Sequence, residues 1–330
     1  MTEIAPPADT LDAFAGFGWG IAMTWLGLRE DGIEIMSEAR STRAANGLHT
    51  VARDVTEYRT APGRHRRQLG SPPCKTFTFA GSGAGRRALD RVLNTIKSIG
   101  SGADPLAAIA ALKAASDGET ALVVEPLRLA LEGLPEFIAW EQVRSVLPVW
   151  QEAAPVLEAA GYSVVTGILR TEQFGVPQTR ERAILIARRD GKPARLPVPT
   201  HSRYYPRDPG RLDPGVLPWV TISDAIGIPR DAYLISNYGT GGDPAARGIR
   251  YGHQPAATIT SKADRIKICF PGSDLTGPRT FRNLTREEAA MLQTIPADFH
   301  VIGSAAKIGE QIGNVVPPKL AEAILKTFDD

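Results

Sequence analysis

Cysteine is nearly absent from this 330-residue chain: Cys74 and Cys269 are the whole complement. At most one disulfide could form, and neither residue stands in a metal-spaced cluster, so a disulfide scaffold and a cysteine-held metal are both excluded. Long apolar runs are missing too. None approaches the roughly 18 residues that cross a bilayer, and Met1 to Pro7, with Glu3 inside it, lacks the basic and apolar stretches of a secretion signal. The expectation is a cytoplasmic protein with no membrane partner. Charge of one sign is also lacking, since a net +2 argues no nucleic-acid partner from global electrostatics. What is present is apolar material: 43% hydrophobic residues are enough for one large core carrying a smaller one. Arginine clusters at Arg59, Arg64, Arg66 and Arg67, at Arg86, Arg87 and Arg91, and at Arg180, Arg182, Arg188 and Arg189. Such groups suit phosphates, although a solvated face reads the same way.

From Thr10 to about Gly191, short apolar runs alternate with helical stretches, the pattern of a parallel sheet with crossover helices. The spacing predicts strands at Leu11 to Ala15, Ile33 to Ser37, Arg67 to Gly70, Leu122 to Val124, Phe137 to Glu141, Tyr162 to Leu169 and Ala183 to Ala187. The last two should form an antiparallel hairpin at one edge. Helices are predicted at Ala84 to Ile99, Pro126 to Leu131, Val143 to Ala160 and Pro318 to Phe328. Between about Gly191 and Gly303 the composition turns to Pro, Gly and Arg in short irregular pieces, which suggests a second, smaller domain before the last helix returns to the first.

Four segments carry chemistry. Asp12-Ala-Phe-Ala-Gly-Phe-Gly-Trp-Gly20 runs from a strand through glycines into a helix, and Glu38 is expected at the end of the next strand. Glycines admit a cofactor close to the backbone, and an acid after strand two can bind a ribose diol, although such a turn can also be mere tight packing. Asp54, after a possible third strand, could accept from an adenine amino group. In Gly70-Ser-Pro-Pro-Cys-Lys-Thr-Phe-Thr78, two prolines fix the backbone before Cys74 at a strand's carboxyl end, where open sheets bind substrates. A nearby cation such as Lys75 would favour the thiolate; the competing reading is a small buried hydrophobe. Glu141 directly follows the apolar run Phe137-Ile-Ala-Trp140, so it can protonate a ring nitrogen if burial raises its pKa, or simply cap the next helix. In Phe174-Gly-Val-Pro-Gln-Thr-Arg-Glu-Arg182, alternation puts Gln178, Arg180 and Arg182 on one face of an extended segment, suited to a phosphate and a base carbonyl.

Together these segments resemble the DNA cytosine-5 methyltransferase family, in order and spacing along nearly the whole chain. Arg282-Asn-Leu-Thr to Ile295-Pro296 and Gln311-Ile-Gly-Asn-Val-Val-Pro-Pro318 extend the match. The resemblance implies an α/β fold, a Rossmann-like mixed sheet that binds S-adenosylmethionine, with a smaller target-recognition domain. It divides the chain into a catalytic domain at 1–190, completed by 304–330, and a recognition domain at 191–303. It implies Cys74 as a nucleophile that adds to cytosine C6, Glu141 at N3, and Arg182 with Arg180 at the base carbonyl and flanking phosphate. For the cofactor it implies Phe14, Gly16, Gly18, Glu38, Asp54, Pro72, Asn314 and Val316. For DNA it implies Lys75, Gln178, Arg86 and Arg87, the last two in a glycine-rich loop that closes over the duplex. The base must be flipped out to be reached. The implied partner is double-stranded DNA, a cognate restriction endonuclease is compatible with that, a monomer suffices, and no metal is needed.

Three residues depart from the family's pattern: Lys75 for Gln, Gln142 for Asn and Trp19 for a glycine. A cation beside a sulfonium is unfavourable, so Lys75 is expected to face a DNA phosphate and assist Cys74. A nicotinamide-dependent oxidoreductase would leave Pro72-Pro-Cys74, Glu141 and the arginine segment unexplained. A tRNA methyltransferase of the same fold would carry Cys-Phe-Thr where this chain has Cys269-Phe-Pro271, which ranks RNA below DNA. A non-catalytic DNA-binding relative is opposed by intact Cys74, Glu141 and Arg182.

Overall fold

The computed structural model describes residues 8–73, 75–77, 87–235, 248–272 and 281–329. Among them no helix is long and apolar enough to cross a membrane, and no three His, Cys, Asp or Glu side chains are placed to hold a metal. The chain divides into two compact units, one of Met1–Leu169, Glu181–Pro197 and Ile324–Asp330, the other of Arg170–Arg180 and Val198–Ala323.

The first unit is built on a seven-stranded sheet: β1 (Thr10–Ala13), β2 (Glu30–Ile33), β3 (His49–Ala52), β4 (Arg67–Gly70), β5 (Phe137–Val143), β6 (Ser163–Arg170) and β7 (Glu181–Arg188). Their order is β3-β2-β1-β4-β5-β7-β6, with β1 to β5 parallel and β7 antiparallel to β5. The connections α1 (Gly18–Trp25) and α2 (Ser37–Ala45) lead from β1 to β3. After β4 come α3 (Leu89–Gly100), α4 (Pro105–Ala115) and α5 (Glu125–Gly133), and α6 (Leu147–Ala159) joins β5 to β6. The central strands β1 and β4 are buried throughout and β5 up to Gln142; of the three only β5 opens with an unbroken apolar run, Phe137 to Trp140, as strands covered on both faces do. One core packs Val92, Ile96, Leu127, Trp150 and Leu157 against Ile138, Trp140 and Leu185; a smaller one gathers Leu11, Ala13, Ile33, Val55 and Leu129.

Three local expectations are corrected. Leu122–Val124 is a 3-10 turn leading into α5, because it lies between a helical turn at Gly118–Ala121 and Pro126 in α5's first turn; a short apolar run has no period to distinguish the two. The second strand ends at Ile33 instead of running from Ile33 to Ser37. The helix expected from Val143 starts at Leu147, with Pro148 in its first turn, while Val143 closes β5. The expected hairpin of the last two strands is a neighbouring pair with β7 inside and β6 at the edge.

The second unit holds a four-stranded antiparallel sheet, β11-β10-β8-β9, from β8 (Tyr233–Ile235), β9 (Ile249–Tyr251), β10 (Lys267–Cys269) and β11 (Phe281–Asn283). Its helices are α7 (Ile222–Ile226), α8 (Arg286–Leu292), α9 (Ala305–Asn314) and the start of α10 (Pro318–Lys326). Capping boxes at Thr221 with Asp224 and Thr285 with Glu288 start the first two. This unit takes in Arg170–Arg180 and the residues up to Ala323, beyond the expected 191–303, because Gln178 and Arg180 hydrogen-bond to its backbone.

Candidate active site

The strand order reverses between β1 and β4, and ligands of open sheets sit at the carboxyl ends of strands at such a point. Ala13, Gly70 and Trp140 lie in one row across β1, β4 and β5. The Asp12 to Gly20 turn, the Ser71-Pro-Pro segment and Glu141 therefore emerge side by side. Ser71 N–H donates to Ala13 O at 3.2 Å, which continues the ladder past the strands.

At the first strand end the backbone leaves the ordinary regions: Phe14 has φ +62° and Gly16 φ +45°. A side chain at Gly16 would meet no atom within 4 Å, so the turn faces open space. Both polar groups of the Gly16 backbone are held from beneath. Its N–H donates to Glu34 Oε2 at 2.9 Å and its carbonyl accepts from Arg43 Nη1 at 3.1 Å. Arg43 is fully buried and paired with Glu30 at 2.6 Å. Asp12 lies fully buried beside this group, its carboxyl pushed well above the usual range by burial and by the Glu30 and Glu34 carboxylates.

The acid at the end of β2 is Glu34, directly after Ile33; Glu38 sits in the first turn of α2. Glu34 Oε1 also accepts Met36 N–H at 2.8 Å, which fixes the carboxylate at the strand end, and Ile35 beside it is 70% exposed. Sequence reasoning missed Glu34 because it placed the strand end four residues late; an acid followed by an isolated apolar residue was the available signal. Asp54 follows β3, its Oδ1 accepting Thr56 N–H and Oγ1–H at 2.9 and 2.8 Å. Gly18 opens α1.

At the second strand end, Cys74 and Arg86 lie outside the described residues. The residues flanking Cys74 are anchored at several points. Trp19 Nε1 donates to Ser71 Oγ at 2.9 Å, Gln142 Nε2 donates to the Pro72 carbonyl, and Ser145 Oγ donates to Phe77 O at 2.7 Å. Pro72 is buried, whereas Lys75 and Arg87 are exposed.

At the third strand end, Glu141 Oε1 pairs with Arg182 Nε at 2.6 Å; both side chains are at most one-tenth exposed. Val143 lies opposite Arg182 in the antiparallel β5–β7 register, so Glu141 and Arg182 meet diagonally on one face. The other members of the arginine segment do not join them, which corrects the expected single face. Gln178 is fully buried, its amide donating to Leu292 O and Gln293 Oε1 and its Oε1 accepting from Ile259 N–H. Arg180 is 4% exposed and donates to the carbonyls of Ile259 and Gly313. The chain turns at Gly175 (φ +74°) and starts β7 only at Glu181, so no extended strand keeps the three in register. Within the second unit Asn314 ends α9 exposed, and Val316 is buried.

The pattern of the family described as C-5 cytosine-specific DNA methylase matches residues 105–213 and 231–329. The chain belongs to that family. Among the methylase's relatives, the type II methyltransferase M.AplI of Arthrospira platensis is 26% identical over 98% of this chain and 86% of its own. M1.HphI of Haemophilus parahaemolyticus is 26% identical over 78% of this chain and 66% of its own length. In fold the methylase is similar to Dnmt2 of S. pombe (TM-score 0.61, 16% identity, 98% of both chains). It is also similar to a putative DNA modification methyltransferase of an E. coli prophage (TM-score 0.56, 20% identity, 97% and 98%). Family membership sets the class, a DNA (cytosine-5) methyltransferase with S-adenosylmethionine as methyl donor. The methylase's first strand ends fit that donor: a turn with open space at Gly16, a fixed carboxylate at Glu34 for a ribose and an exposed apolar Ile35 for a base.

Proposed function

We propose that the protein methylates C5 of a cytosine flipped out of duplex DNA, with Cys74 as the covalent nucleophile. The observation that carries this reading is the buried Glu141–Arg182 pair, one residue past the row that aligns Gly70 with Trp140, and hence beside the Ser71-Pro-Pro lead into Cys74. S-adenosylmethionine, when bound, supplies an electrophilic methyl group. The Cys74 thiolate adds to C6 and makes C5 nucleophilic; after methyl transfer the C5 proton leaves and the thiolate is eliminated. Glu141 donates to N3 of the ring as charge develops there, and Arg182 holds the carboxyl and the base carbonyl. Glu34, rather than Glu38, takes the ribose diol, with Phe14, Gly16, Gly18, Ile35 and Asp54 completing the cofactor side, together with Asn314 and Val316.

In this reading Arg180 and Gln178 hold the second unit together instead of touching DNA, while Lys75, Arg86 and Arg87 face phosphates. We assign catalysis to the first unit and target recognition to the second. The type II names of the relatives support work within a restriction-modification system; in this reading a cognate endonuclease is the companion and the methylase acts as a monomer in the cytoplasm. Mass spectrometry of nucleosides from plasmid DNA and from tRNA, each incubated with protein and S-adenosylmethionine, tests the reading. 5-Methylcytosine in the DNA alone is expected; the modified base in tRNA alone, or in neither, would overturn it.

A further inference from the structure

Two of the family departures, Trp19 and Gln142, end on the same short segment. Gln142 ties the Pro72 carbonyl to β5, with its own Oε1 accepting Val143 N–H. Trp19 ties Ser71 to α1, the helix that opens directly after the Gly16 turn. The indole is 1% exposed, so its N–H needs an acceptor, and Ser71 Oγ is 2.9 Å away. Ser71 is already held to β1 through its own N–H. Pro72 and Pro73 follow with their φ angles fixed, which narrows the conformations open to the segment that leaves the anchored serine.

We infer that Trp19 is a positioning residue that couples the cofactor turn to the nucleophile segment through its hydrogen bond to Ser71. Any adjustment of α1 against a bound cofactor is passed to Ser71, three residues before the thiol. The inference rests on Cys74 being the nucleophile. A small displacement of a reacting group is enough to slow a covalent step, because rate depends steeply on near-attack geometry.

The test uses a duplex bearing 5-fluorocytosine, whose C5 carries fluorine in place of the proton that must leave, so that the methylated Cys74 adduct accumulates. Adduct formation is timed at saturating S-adenosylmethionine, beside the separate dissociation constants for cofactor and DNA. Ser71→Ala and Trp19→Phe are each expected to slow adduct formation about five- to tenfold, the loss of one hydrogen bond from an aligned geometry. Both dissociation constants should stay within about twofold of wild type, as expected when binding contacts are untouched. The double variant should be no slower than either single one, since both remove the same bond. Ser71→Thr, which keeps the hydroxyl, should restore the rate. Wild-type adduct rates in Ser71→Ala and Trp19→Phe, or purely additive losses, would overturn the inference while leaving the Cys74 reading intact. Failure of the wild type to form any adduct would overturn both.

Discussion

Arg180 and Arg182 stand two residues apart in one short motif, yet the regions around them use an arginine in opposite ways. Arg182 lies in β7 and pairs through Nε with the Glu141 carboxylate, two residues before the end of β5, while its Nη1 donates to the Glu181 carbonyl. Arg180 lies in the second unit, where its Nη1 donates to the carbonyls of Ile259 and Gly313. Gln178, two residues earlier again, is likewise consumed by backbone of the same unit. The first region holds a buried ion pair between two neighbouring strands; the second uses arginine and glutamine donors to tie irregular chain together. A motif rich in donors therefore does not specify one ligand, because backbone carbonyls compete with substrate for every guanidinium.

The largest effect should come from the strand-end carboxylate. Glu141→Gln is expected to lower kcat by about 10²- to 10⁴-fold, the range of a lost general acid, with duplex affinity kept. Single-turnover methylation beside a DNA-binding measurement checks this, and an unchanged kcat would put the catalytic work elsewhere. Arg180→Met should instead cost about 1–3 kcal/mol of folding stability, because it removes a buried donor from the Gly313 carbonyl and leaves Ile259 O only the longer bond from Gln293, while the folded enzyme's kcat stays within a few-fold. A chemical denaturation midpoint and a kcat per folded molecule separate the two arginines.

Glu172 gives the second region a pH dependence of its own. Burial raises its carboxyl to about 7. An acid whose pKa is raised on folding binds its proton more tightly in the native state, so stability should fall as pH rises from about 4.5 to about 7 and then level off. Glu172→Gln is expected to raise stability at pH 8 by up to about 3 kcal/mol and to do little at pH 4.5. Equal effects at both pH values would show that the carboxyl titrates as an exposed one.

Smaller effects should sharpen the cofactor side. Glu34→Gln is expected to weaken S-adenosylmethionine binding about tenfold, the loss of a charge-assisted hydrogen bond, and Glu38→Gln to leave it unchanged. Calorimetric titration decides between them, and the reverse result would restore Glu38 to the ribose. The smallest change is expected at Lys75: Lys75→Gln should yield the same methylated nucleoside as the wild type, with a salt dependence of DNA binding shallower by about one phosphate contact. A different product mass would show that this side chain governs the transferred group.

Parts of the sheet were legible because β4 runs into Gly70 and the two prolines Pro72 and Pro73, and because the buried apolar run Phe137 to Trp140 leads straight into Glu141. Glu34 was not, since Ile33-Glu-Ile-Met36 continues an apolar strand pattern that the fold cuts short at Ile33. The fates of Gln178 and Arg180 were hidden for a different reason: their acceptors lie 79 to 133 residues away in sequence. Local alternation says which way a side chain points only where a strand exists.

The central claim is that Cys74 attacks the pyrimidine ring, and peptide mapping of the covalent complex with a 5-fluorocytosine duplex tests it most directly. The account predicts a nucleotide and a methyl group on the peptide containing Cys74 from the wild type, and no complex from Cys74→Ala. A cross-link mapped to any other residue, or one that survives Cys74→Ala, would contradict it.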